Sequence, residues 1–157
     1  MSVWTGREMI IWGGWDDLFF LNTGGRYNPG TDTWKATSTT DAPISRFQHS
    51  AVWTGNEMIV WGGWDPPNIF DTGGKYNPGT DSWTPTSTTN APTARYVPTG
   101  VWTGSEMIVW GGGASGPTYF NTGGRYCGQA PTPTPTATPT PRATPVARIR
   151  PTPVPRP

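Results

Sequence analysis

Apolar residues in this chain gather in short runs bounded by glycine, asparagine and proline. Mid-chain, Ala51-Val52-Trp53 is followed by Thr54-Gly55-Asn56-Glu57 and then by Met58-Ile59-Val60-Trp61. The second run has β-branched and aromatic residues at its centre and stops at Gly62-Gly63, which predicts a strand rather than a helix. It has no polar face, so it should be covered on both sides. Gly55 and Asn56 tolerate positive φ, so the segment between the runs reads as a hairpin turn. A third strand is predicted over residues 72–76 and a fourth over 83–86, with the turn-rich Asn77-Pro78-Gly79-Thr80-Asp81 between them. Pro85 lacks a donor and places the fourth strand at an edge.

The same pattern recurs. Residues 3–14 and 101–112 repeat 52–63 almost letter for letter, and Trp4, Trp53 and Trp102 lie 49 residues apart (53 − 4 and 102 − 53). A fixed period of this size signals units that cannot bury their apolar faces alone. The units run over about 1–46, 47–95 and 96–127, and residues 128–157 form a different segment. The glycine pair recurs in each unit. No Gly-Lys-Thr/Ser and no helix start follows it, so close backbone approach explains it better than a phosphate cradle.

Each complete unit has a Gly-Gly pair after an apolar strand, then a tyrosine, then a tryptophan seven residues on. Tyr27-Asn28-Pro29-Gly30-Thr31-Asp32-Thr33-Trp34 and Tyr76-Asn77-Pro78-Gly79-Thr80-Asp81-Ser82-Trp83 carry this signature. Arg46 and His49 precede the middle unit; Arg95 precedes the third, with Pro98 where the histidine would stand. The pattern resembles the kelch repeat over residues 3 to about 126. That resemblance implies an all-β fold of four-stranded antiparallel blades, a β-propeller. Three units, the last reaching Tyr126 without an Asn-Pro…Trp segment, fall short of the four to eight blades of a closed ring. An open or partial propeller is therefore expected. Its end blades should expose apolar faces, and Trp12, Trp61, Trp110 and adjacent Ile and Val should pack the inner ones. Self-association, or further repeats of which this chain would be a fragment, is expected to close it.

Composition adds constraints. Only 33% of residues are apolar, but ten are tryptophan, and a few such rings can carry a thin core. Residues 1–127 hold seven Lys/Arg and ten Asp/Glu, a balance of −3, and the last thirty hold four arginines and no acid. Neither balance is the basic face of a nucleic-acid binder. The single Cys127 excludes an intrachain disulfide framework or a thiolate-rich metal site. The first residues do not read as a signal segment, and no run of eighteen apolar residues predicts a membrane span. Residues 130–157 contain ten prolines and seven threonines, which predicts a disordered, extended Pro/Thr-rich tail acting as a spacer. A docking ligand for SH3-like or WW-like domains is the competing reading. Thr/Pro stalks resemble those of secreted or surface proteins, so an extracellular or cell-surface location is expected.

No catalytic set, metal cluster or cofactor site is expected. His49 sits in the kelch-like pattern, where packing explains it better than general-base chemistry. Glu8, Glu57 and Glu106 recur at one position of the first hairpin, as a structural ion pair would. The blade pattern also resembles that of galactose oxidase, but one histidine and one cysteine do not supply its copper ligands. The Gly-Thr-Asp-Thr-Trp turn differs from the sialidase turn by one residue, and no arginine triad accompanies it.

The expectation is therefore a noncatalytic binding or scaffold module for a protein or carbohydrate ligand. A fragment of a galactose-oxidase-like enzyme and a structural spacer of a surface protein are the alternatives. Loops after each second strand and linkers between units should emerge on one side. They place Trp15, Asp16, Asp17, Trp64 and Asp65 there, with Arg46 and Arg95 from the linkers. A Trp-Asp pair in two units suits a sugar ring or a protein partner; a structural alternative is that both tryptophans cap their blades.

Overall fold

The computed structural model describes residues 1–127; the expectations for the Pro/Thr-rich tail lie outside the described residues. Among these there is no helix. The first unit forms β1 (Ser2–Trp4), β2 (Met9–Trp15), β3 (Phe20–Asn28) and β4 (Thr33–Ala36), an antiparallel sheet in chain order. The second forms β5 (Ser50–Trp53), β6 (Met58–Trp61), β9 (Gly73–Asn77) and β10 (Ser82–Pro85); β7 (Trp64–Asp65) and β8 (Asn68–Ile69) make a small ribbon between β6 and β9. The third forms β11 (Thr99–Trp102), β12 (Glu106–Trp110) and β13 (Gly123–Cys127). Pro85 falls on the edge strand β10, where its missing N–H costs no ladder bond. The ribbon was not expected, because Asp65-Pro66-Pro67 reads as a strand breaker; the prolines fall in its turn and leave the pairs Trp64–Ile69 and Asp65–Asn68 intact.

The blades stand face to face, with β1 beside β5 and β5 beside β11 at the inner end. The arc is open. Along each second strand, alternate residues face opposite neighbours, as the pleat requires. Between blades one and two, Ile10 and Trp12 meet Met58, Val60, Tyr76 and Trp83. Between blades two and three, Val52, Ile59 and Trp61 meet Met107 and Val109. β6 is therefore buried on both faces, as its unbroken apolar run predicts. Trp83 also donates its indole N–H to Ser38 O (2.9 Å), and Asp81 Oδ1 accepts the Ser38 N–H (2.9 Å). The fourth strand of blade two thus clasps the linker leaving blade one. Tyr76 donates to the same Asp81 oxygen at 2.6 Å. Burial, then this bond, pushes the Tyr76 hydroxyl up to about 12; the same bond, with the Ser38 N–H, holds Asp81 below the usual carboxylate range.

The recurring glutamates pair with a cation on the third strand of their own blade: Glu8 with Arg26 (2.7 Å), Glu57 with Lys75 (3.8 Å) and Glu106 with Arg125 (3.4 Å). Arg26 also donates to Pro78 O of the next blade at 2.7 Å. The glycine pair has two causes. Gly62 and Gly63 lie at φ 74° and 91°, where a side chain is strained. A Cβ on Gly62 would also stand 2.8 Å from Arg95 O, and one on Gly63 2.8 Å from Phe47 O. The linkers lie directly on these glycines: Gly63 N–H bonds Arg95 O, and Gly14 N–H bonds Arg46 O.

Candidate functional site

That contact decides what the linker arginines do. Arg46 and Arg95 are each 1% exposed, so neither guanidinium is available to a ligand on the surface. Arg46 donates to Ile44 O (3.0 Å), Gly62 O (3.1 Å), Thr72 O (2.8 Å) and Thr72 Oγ1 (3.3 Å), with the Phe70 ring 4.2 Å away. Arg95 repeats the arrangement one blade on, with Thr93 O, Gly111 O and Thr122 O, and Phe120 at 4.4 Å. Carbonyl oxygens and a ring face solvate each cation. Burial lowers both guanidinium pKa values, that of Arg46 to about 10, so Arg46 stays charged at neutral pH. Their place in the fold corrects the expectation that they contact a partner: they pin each linker to the blade that follows.

The residue after each arginine does reach the loop side. Phe47 pairs in an antiparallel bridge with Trp64, and Tyr96 with Gly113. Trp64 starts the ribbon, and Trp15 ends β2 directly before the tight turn at 16–19. These segments bring together rings from all three blades. Trp15 packs on Phe20 (6.4 Å between centroids) and Phe47 (6.3 Å); Phe20 and Phe47 pack on Trp64 (6.0 and 5.9 Å); Trp64 packs on Tyr96 (6.0 Å). Trp15 and Trp64 thus flank a Phe20–Phe47 pair in one aromatic row. Trp15, Leu18 and Phe19 are exposed at one end of it. At the other end lies a cavity of about 330 Å³ lined by Trp64, Pro67, Ile69, Tyr96, Ala114, Ser115 and Gly116.

The aspartates mostly serve the loops. Asp16 Oδ1 accepts the Phe19 N–H (2.7 Å) and the Leu18 N–H (3.1 Å), which hold its carboxyl below the usual range. Asp65 Oδ2 accepts from Ser45 Oγ at 2.6 Å, tying the ribbon to the linker. Asp17 is exposed, at φ 77°. Phe20, Phe47 and Tyr96 were not foreseen in the site. The available signal was that an aromatic follows the linker arginine both times, Arg46-Phe47 and Arg95-Tyr96.

His49 lies beneath this face, buried, with its ring edge-on to Trp12 at 5.5 Å. Neither ring nitrogen has a partner among the described residues. Desolvation, with the nearby positive charges of the amino terminus and Arg46 adding, lowers its pKa to about 3. The neutral ring is a packing element and takes up a proton on unfolding near its unfolded pKa of 6.5. Stability from keeping it neutral is present above that pH and is lost as pH falls from about 6.5 toward 3, at up to about 1.4 kcal/mol per unit. Between pH 7 and 5 the protein should lose about 2 kcal/mol. His49→Phe should be nearly flat over that interval; an equally steep loss in the variant would place the titration elsewhere.

Among the described residues no group of three or more His, Cys, Asp or Glu is placed to hold a metal ion, and no helix is long and apolar enough to cross a membrane. No curated protein matches the chain. A family model does match, the KLHDC2/KLHL20/DRC7 Kelch-repeats domain, over residues 1–149. With the repeat signature, the four-stranded blades and this match in agreement, the chain belongs to the kelch-repeat family.

Proposed function

We propose that the aromatic row and its adjoining cavity are the docking surface of a protein-interaction module, and that the partner presents an extended segment with an apolar or proline anchor. Kelch repeats generally bind proteins, and domains of this kind are typically noncatalytic interaction domains. The observation that carries the reading is the continuity of five rings, Trp15, Phe20, Phe47, Trp64 and Tyr96, into a cavity lined mainly by apolar and aromatic side chains. Large, stiff aromatic bodies beside a pocket are the usual anchors of protein interfaces. Arg46 and Arg95 have no part in this surface. Asp17 at the exposed end of the row supplies a negative rim. The Thr/Pro composition of residues 130–157 supports a secreted or surface location for the module.

Screening the chain against a displayed peptide library and a glycan array in parallel tests the proposal. Enrichment of peptides with a shared apolar or proline position supports it; binding to glycans alone overturns it. Trp15→Ala should weaken capture of the enriched peptide by at least about tenfold, as loss of an interface anchor does. Its ring is already exposed, so folding stability should change by less than about 1 kcal/mol. A large stability loss with unchanged capture would make Trp15 a blade cap.

A further inference from the structure

The two ends of the arc are the two halves of the joint it already contains twice. On blade three the outward positions are Val101, Ile108 and Trp110. Their equivalents, Val3, Ile10 and Trp12 on blade one and Val52, Ile59 and Trp61 on blade two, pack against the next blade. Trp12 and Trp61 are 1% and 3% exposed, and Trp110 is 58%. On blade one the outward positions are Trp4, Met9, Ile11, Tyr27 and Trp34. Their equivalents on blade two, Trp53, Met58, Val60, Tyr76 and Trp83, receive blade one; Trp83 is 3% exposed and Trp34 56%. The polar contact across the joint has counterparts as well. Arg26 donates to Pro78 O between blades one and two, and the matching residues at the free ends are Arg125 and Pro29.

We infer that the occupant of each end face is a second copy of this chain, docked head to tail, with blade three of one copy seated on blade one of the other. The faces differ from one another but fit each other, so the contact is heterologous, and such contacts either close or propagate. Two copies joined at both ends would form a ring of six blades, within the range that closes. The joint uses the side-chain types of the inner interfaces, tryptophan and isoleucine against methionine, isoleucine, tyrosine and tryptophan. It covers the apolar patches that a separate arc leaves in water. This surface is distinct from the aromatic row on the loop side.

Sedimentation velocity of the full chain over a concentration series tests the inference. A two-copy species is expected, with no larger assembly at higher concentration. Ile108→Asp alters only the blade-three face and Ile11→Asp only the blade-one face, and each should raise the dissociation constant by at least about tenfold. Because both residues are exposed in the single arc, each variant should keep the wild-type far-ultraviolet spectrum. Mixed together, the two variants retain one intact pair of faces and should form a one-to-one complex that neither forms alone. A wild-type chain that stays single up to about 100 µM, well above ordinary interface affinities, would overturn the inference. Association untouched by either variant, association lost in only one, or open-ended growth would overturn it too.

Discussion

Trp61→Ala is expected to lower the unfolding free energy by about 3–5 kcal/mol, the range for removing a buried aromatic side chain. Trp110→Ala, the same change at the same blade position, should shift it by less than about 1 kcal/mol in dilute, unassociated chains. Trp61 lies between blades two and three with Val52, Ile59, Met107 and Val109, and truncation leaves a void there that the sheets on either side cannot fill. Trp110 has solvent on that side. Denaturant titration of both variants checks the contrast, and hydrogen exchange locates it: β6 and β12 should lose protection in Trp61→Ala before β2 does. Equal effects at the two positions would mean that the blades do not stack as described.

Arg46→Met should cost about 3–5 kcal/mol. Methionine keeps the length and apolar stem but removes the donors: buried Gly62 O loses its hydrogen bond, Thr72 O keeps only the Gly62 N–H, and the more exposed Ile44 O can turn to water. Hydrogen bonds to a charged group contribute about 1.5–3 kcal/mol each, and one buried acceptor left unpaired costs about 1–3 kcal/mol, partly relieved by relaxation. Arg46→Lys should recover only part of the loss, because one ammonium cannot span carbonyls that a planar fork reaches. Arg7→Met, at an exposed arginine, should fall within about 0.5 kcal/mol of wild type. Domains of this size are held by about 5–15 kcal/mol, so Arg46→Met should remove a large share of the total and lower the thermal midpoint clearly. A variant within about 1 kcal/mol of wild type would show that the guanidinium is not held in the joint.

Much of the fold was legible because one pattern was written three times. Met58-Ile59-Val60-Trp61 can only be a strand covered on both faces, and its repeats at fixed spacing make the covering elements its own copies. The arginines were misplaced for a physical reason. Arginine is rarely buried unless paired, and the acid nearest in sequence, Asp41, is not among the partners of Arg46. Its partners are main-chain carbonyls of Gly62 and Thr72, which no side-chain pattern announces. The aromatic row was half legible. Trp15 and Trp64 stand out beside aspartates, but Phe20, Phe47 and Tyr96 join them only through bridges between a linker and a loop. The cavity beside Tyr96 needs Pro67 and Ile69 from a ribbon that the Pro-Pro step conceals.

Each joint is fastened by a residue belonging to both sides. Arg46 bonds blade one through its main chain, to Leu21 O and the Gly14 N–H, and blade two through its guanidinium. Arg95 does the same one step on, with Phe70 O and the Gly63 N–H behind it and Gly111 O and Thr122 O ahead. A genetic duplication or deletion of any 49-residue window would therefore carry a whole fastener with it, wherever the breakpoints fell. Lineages of such a gene can gain or lose blades in unequal crossing-over without inventing a new contact, because each added blade would arrive with its own arginine and the carbonyls that receive it.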